Sequence, residues 1–96
     1  MRLEWSAFSF ADRESIFDDI EADSPRAAIA VDDAIAKAAR QLIDFPESGR
    51  IGRVAGTREL VVSALPSLIA YTIQVDVVRI LRVLHSAKKW PDDMSN

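Results

Sequence analysis

The chain contains no cysteine, which excludes disulfides and thiolate metal ligation and gives no sign of an oxidising compartment. It has one histidine and one tyrosine, so few side chains are available for proton transfer near neutral pH. Its carboxylates and lone histidine do not fall at metal-ligand spacing, and neither a metal nor a cofactor is expected. No apolar run reaches the roughly 20 residues of a membrane span. The opening Met1-Arg2-Leu3-Glu4-Trp5 lacks the apolar region of a signal peptide. A cytoplasmic protein with no membrane partner is expected. Glycine is limited to three residues, and neither a Walker A loop nor a G-x-G-x-x-G fingerprint is present. Trp5, Tyr71 and Trp90 lie far apart, so no interleaved aromatic run exists for stacking single-stranded bases.

What the chain does hold is ordinary for one globular domain spanning residues 1–96, with 49% apolar and 28% charged residues. Its net charge of −3 is unevenly spread. Residues 1–47 carry five bases against eleven acids, and residues 48–96 carry seven bases against four acids. A basic half on an acidic chain points either to an anionic partner or to helices and strands with differently charged solvated faces.

Arg2-Leu3-Glu4-Trp5 alternates polar and apolar, which predicts a short strand over residues 1–6. Ser6 is a candidate N-cap for a helix from Ala7 to about Ala22, with Phe10, Ile16, Phe17 and Ile20 towards one side. Ser24-Pro25 restarts a helix, since proline suits a first position that needs no amide donor. Ala28, Val31, Ile35, Ala38, Leu42 and Phe45 then form one apolar seam, ended by Pro46. Residues 7–46 are therefore a helical hairpin. Residues 46–53 are expected to be loop, with two glycines and two arginines.

Residues 57–86 predict a meander of three antiparallel strands: Thr57–Ser63, Leu68–Val75 and Val77–His85. The last is apolar on both faces and should be interior to the sheet. Alternation sets Arg58 and Glu59 on opposite faces, as it does Arg79 and Arg82. Parity groups Arg82 with Ile80 and Leu84 unless a bulge reverses it. Residues 87–96 form a tail beginning with the basic, aromatic Lys88-Lys89-Trp90-Pro91. The expected fold is α+β: a four-stranded antiparallel sheet with helices on one face and a binding surface on the other.

The blocks Gly52-Arg53-Val54-Ala55-Gly56-Thr57-Arg58-Glu59-Leu60-Val61-Val62, Ile69-Ala70-Tyr71 and Ile80-Leu81-Arg82-Val83-Leu84-His85-Ser86-Ala87-Lys88-Lys89-Trp90-Pro91 resemble the RelE/ParE superfamily, toxins of type II toxin–antitoxin modules. The likeness covers most of the chain, including the Ser-Pro helix restart and the strand order. It implies a RelE/ParE-like fold, growth inhibition or plasmid stabilisation, and a cognate antitoxin as partner. It also implies one of two targets. ParE-like members poison DNA gyrase, and RelE-like members cut messenger RNA in the ribosome.

The fold does not choose between these targets; the site must. Ribonucleolysis needs a base, an acid and cations around the phosphorane. Arg58 matches the superfamily arginine at its strand, and Arg82 and His85 match by region. With no C-terminal tyrosine, that catalytic set is incomplete. Arg50, Arg53, Lys88, Lys89 and Trp90 are candidates for target or anion binding. Each has a structural alternative: His85 bonded to backbone at a strand end, or Arg58 bridged to a helix acid such as Asp44. The acidic net charge weakens long-range steering towards RNA. The Arg-Val-Leu-His-x-x-x-x-Trp-Pro ending is closer to ParE-like members. A gyrase-directed toxin is therefore expected, with a messenger RNA endoribonuclease as the alternative and an inactive antitoxin-binding module as a third reading.

Overall fold

A computed structural model describes residues 1–63 and 67–85. The elements are β1 (Arg2–Trp5), α1 (Ala7–Glu21), α2 (Pro25–Asp44), β2 (Arg50–Ile51), β3 (Arg58–Val62), β4 (Ser67–Gln74) and β5 (Val77–His85). They build one sheet in the order β1-β5-β4-β3-β2, with the helical hairpin packed on one face. The expected α+β layout is present, with two corrections. The sheet has five strands rather than four, because Arg50–Ile51 pairs antiparallel with Arg58 and Glu59. β1 runs parallel, not antiparallel, to its neighbour β5.

Both corrections have local causes. Gly52 N–H donates to Thr57 O, and the Thr57 N–H and Oγ1 both donate to Val54 O, closing a tight hairpin that brings Arg50 back onto Glu59. Gly56 has φ +81° inside that hairpin, a region glycine enters without steric cost. For β1, Ser6 fixes the outcome. Its amide donates to Ile80 O and its hydroxyl to Leu81 O (2.7 Å), so the chain turns into α1 directly over β5. Ser6 Oγ also accepts from Ser9 N, the expected N-cap. Ser24 caps α2 in the same way, with Pro25 at the first position. Such caps contribute about 1 kcal/mol each.

The core joins Ile16 of α1 and Val31, Ile35, Ala39 and Leu42 of α2 to Val62, Ile69, Tyr71, Val78, Ile80 and Val83 of the sheet. The α1 stripe departs from expectation at Phe10, which is exposed. The buried position there is Ser9, whose small side chain lets the helix approach β5, while Phe10 stacks on Trp5 at 5.9 Å. In α2, Ala39 rather than Ala38 is fully buried. Phe45, already non-helical at φ −130°, leaves the seam for solvent.

One bulge sets the placement of the charged strand residues. Tyr71 pairs with Ile80 and Ala70 with Arg82, so Leu81 is the extra residue of β5. Before it, Val78 and Ile80 face the helices; after it, Val83 does. Arg82 consequently stays with Leu84 but parts from Ile80, correcting the simple parity. The turn around residues 64–66 and the tail that holds Lys88, Lys89 and Trp90 lie outside the described residues.

Candidate functional site

Three polar assemblies organise the sheet's charged residues. The first centres on Glu59, whose side chain is only 2% exposed. Oε1 accepts from Arg50 Nη2 at 3.2 Å, and Oε2 accepts from the Arg53 amide at 3.0 Å and Arg53 Nε at 3.2 Å. Burial opposes the charge on Glu59, but the backbone and guanidinium donors of Arg53 and the guanidinium of Arg50 outweigh it, holding the carboxyl below its ordinary range. The β2–β3 hairpin is thus closed by a buried anion with two largely exposed arginines above it.

The second assembly is the fork between Asp12 and Arg82. Arg82 Nε and Nη2 donate to the two Asp12 oxygens at 2.8 and 2.9 Å. The Val83 amide donates to Asp12 Oδ2 at 2.9 Å. Asp12 therefore satisfies the β5 backbone beyond the end of β1 and ties α1 to the sheet. The guanidinium also lies over the Phe8 ring at 5.6 Å, which explains why an aromatic ring is tolerated at so exposed a position. A similar fork from Arg13 to Asp32 joins α1 to α2, with Arg13 stacked 4.6 Å over Trp5.

The third assembly fastens the segment between α2 and β2. Arg58 Nη1 donates to Gly49 O at 2.8 Å and Glu47 O at 3.4 Å. Tyr71, fully buried, donates its hydroxyl to Pro46 O at 2.7 Å and accepts from Gly49 N at 3.0 Å. Burial raises the Tyr71 pKa, with the Gly49 amide and the Arg58 charge partly opposing it. A Cβ at Gly49 would stand 2.6 Å from that hydroxyl, so the residue is glycine because the backbone passes directly over the ring. Tyr71→Phe should cost about 2 kcal/mol, since Pro46 O and the Gly49 amide lose their partner; urea denaturation checks it.

The register decides which of the sequence candidates come together. Arg58, Tyr71 and Ile80 share one row on the helical face, whereas Glu59, Ala70 and Arg82 share a row on the opposite face. Arg79, opposite Thr72, also lies on that second face and pairs with Glu4 at 3.2 Å. Neither Arg79 nor Arg82 joins the surface of Arg58. His85 lies on the helical face in the row of Ser67 and Val62, four residues along β3 from Arg58. At about 3.3 Å per residue this sets it about 13 Å further along the sheet, and two strands across. His85 lines a cavity of about 400 Å³ with Ile16, Asp19, Ile20, Asp23, Ser24 and Ala27. Arg58, Arg82 and His85 therefore do not converge on one point. Arg50 and Arg53 do come together, through Glu59. The expected bridge from a strand arginine to a helix acid exists, but it runs from Arg82 to Asp12 rather than from Arg58 to Asp44.

Asp12, Glu59 and Tyr71 are the organising residues that sequence reasoning left out of the site. The arginines flanking Glu59 at positions 50 and 53 were a usable signal; nothing local marked Asp12. Among the described residues no group of three or more His, Asp or Glu is placed to hold a metal, and no helix is long and apolar enough to cross a membrane.

Comparison with known proteins follows this architecture. Residues 3–90 match the family described as ParE toxin of type II toxin-antitoxin system, parDE. The putative toxin Y4kP of Sinorhizobium fredii is 40% identical over 90 residues, covering 94% of this chain and 93% of the relative. Toxin RelE2 of Caulobacter vibrioides is 37% identical over 87 residues, 91% of this chain and 97% of the relative. A chain from the chromosomal ParDE TA system of P. aeruginosa shares the fold, with TM-score 0.80 and 24% identity over 88% of this chain and 95% of that one.

Proposed function

Because the chain belongs to the ParE toxin family of type II toxin–antitoxin systems, we propose that it inhibits growth by acting on DNA gyrase and that its toxicity does not depend on cutting RNA. Family membership also implies an antitoxin partner. The observation that carries the proposal is the separation of Arg58, Arg82 and His85 over two faces and both ends of the sheet. A ribonuclease needs its base, acid and cations within hydrogen-bond reach of one phosphodiester. The guanidinium groups of Arg58 and Arg82 instead hold a loop and a helix in place. The acidic net charge of −3 also supports a target other than the ribosome's RNA surface. The exposed guanidinium groups of Arg50 and Arg53, set by Glu59, are the described cations best placed to meet that target. Gyrase and the antitoxin both place the action in the cytoplasm, where growth inhibition of plasmid-free cells would stabilise a plasmid.

A supercoiling assay with purified gyrase tests this. Wild-type protein should block supercoiling, and His85→Ala should block it equally. Unimpaired supercoiling at toxin in large excess over gyrase would refute the proposal.

A further inference from the structure

Val75 stands almost clear of the protein at 98% exposure, more than any other large apolar residue described. Phe8 and Phe10, also exposed, at least lie against Arg82 and Trp5. A single aliphatic residue in water is ordinary. The backbone beneath this one is not. Val75 has φ +47°, and among the described residues no other non-glycine has a positive φ. A β-branched side chain crowds its own backbone in that left-handed region.

The register shows why a residue must bend there. Gln74 pairs with Val77, which leaves Val75-Asp76 as a two-residue turn between β4 and β5. Such turns favour glycine, asparagine or aspartate where φ is positive. The turn is also held from outside, because the Arg2 amide donates to Asp76 O at 2.7 Å. Folding alone would therefore select a different residue at position 75. Strain of this kind marks functional positions, and no packing by the Val75 side chain offsets it.

The turn projects. β3 begins opposite Tyr71, so β4 outruns it by Thr72, Ile73 and Gln74, about 10 Å at 3.3 Å per residue. The β2–β3 turn, which holds Arg53, leaves the sheet at the same end from the adjacent strand. One end of the sheet thus presents an aliphatic tip and an exposed guanidinium.

We infer that Val75 anchors the toxin on DNA gyrase, its side chain entering an apolar recess of the enzyme on the surface that Arg53 meets. The inference rests on gyrase being the target and names a contact for it. A convex tip of one side chain needs a concave receptor, and a multidomain enzyme offers clefts between its domains. A buried apolar anchor can dominate such an interface, and a turn already fixed loses little freedom on binding.

The test compares Val75→Asn, which suits the turn and removes the apolar group, with Val75→Leu, which keeps it. Val75→Asn should melt at least about 4 °C above wild type. It should nevertheless need at least about tenfold more protein to block supercoiling. Val75→Leu should block like wild type, and both variants should bind the cognate antitoxin with wild-type affinity. Supercoiling blocked equally by Val75→Asn and wild type would overturn the inference and leave gyrase as the target. Lost inhibition with a lowered melting temperature would overturn it too, as would lost antitoxin affinity in place of lost inhibition. Wild-type protein that leaves supercoiling unimpaired would remove the gyrase reading and this inference together.

Discussion

Asp12→Ala should lower the stability of the free toxin by about 3 kcal/mol, the largest single loss expected from any of its charged residues. One carboxylate accepts from Arg82 Nε, Arg82 Nη2 and the Val83 amide, and both side chains are mostly buried, at 15% and 16% exposure. Truncation strips a charge-assisted fork and leaves a strand amide without its acceptor just where β1 has ended. For a domain of this size that corresponds to a drop of roughly 15 °C in melting temperature. Asp12→Asn should recover part of the loss, because an amide oxygen still accepts from Val83. A double-mutant cycle with Arg82→Ala should show a coupling of about 2 kcal/mol between the two positions. Independent, additive effects would mean that the fork contributes little.

Glu59→Gln should cost about 2 kcal/mol at neutral pH and change how stability responds to acid. The loss is modest because Arg50 and Arg53 are more than half exposed, and water screens their attraction to the buried carboxylate. The direction with pH follows from the lowered pKa. The folded carboxyl titrates below 4.5, its ordinary value. Its contribution is therefore complete above that value and disappears as the pH falls through the lower, folded-state value. Urea midpoints measured from neutral into acid solution should converge for wild type and Glu59→Gln at the acid end. Parallel curves would show that the charge of Glu59 is not what closes the β2–β3 hairpin.

How much of this was legible in the sequence varied with the range of the physical signal. The two caps, Ser6 and Ser24, the Pro25 restart and the bounds of β5 follow from local chemistry and were readable. The fifth strand was not, because two residues, Arg50 and Ile51, carry no period; only the Gly52–Thr57 closure makes them a strand. The parallel β1–β5 pairing depends on Ser6 meeting Ile80 and Leu81, across most of the chain. The candidate site suffered most from the bulge at Leu81. One extra residue turns Arg82 away from Ile80, and no alternation rule announces where such a residue will fall. One reading of the basic half, which holds Arg58, Arg79 and Arg82, is an anionic partner. In the structure the same side chains are tied to Asp12, Glu4 and the carbonyl groups of the 47–49 segment.

That commitment of the strand arginines to architecture is the centre of the account, and messenger RNA on programmed ribosomes tests it most directly. Purified toxin is added at the concentration that blocks gyrase, and the message is mapped for breaks. The message should stay intact with wild-type protein, and His85→Ala should inhibit growth as wild type does. A message cleaved by wild type and spared by His85→Ala, with both proteins melting at the same temperature, would contradict it.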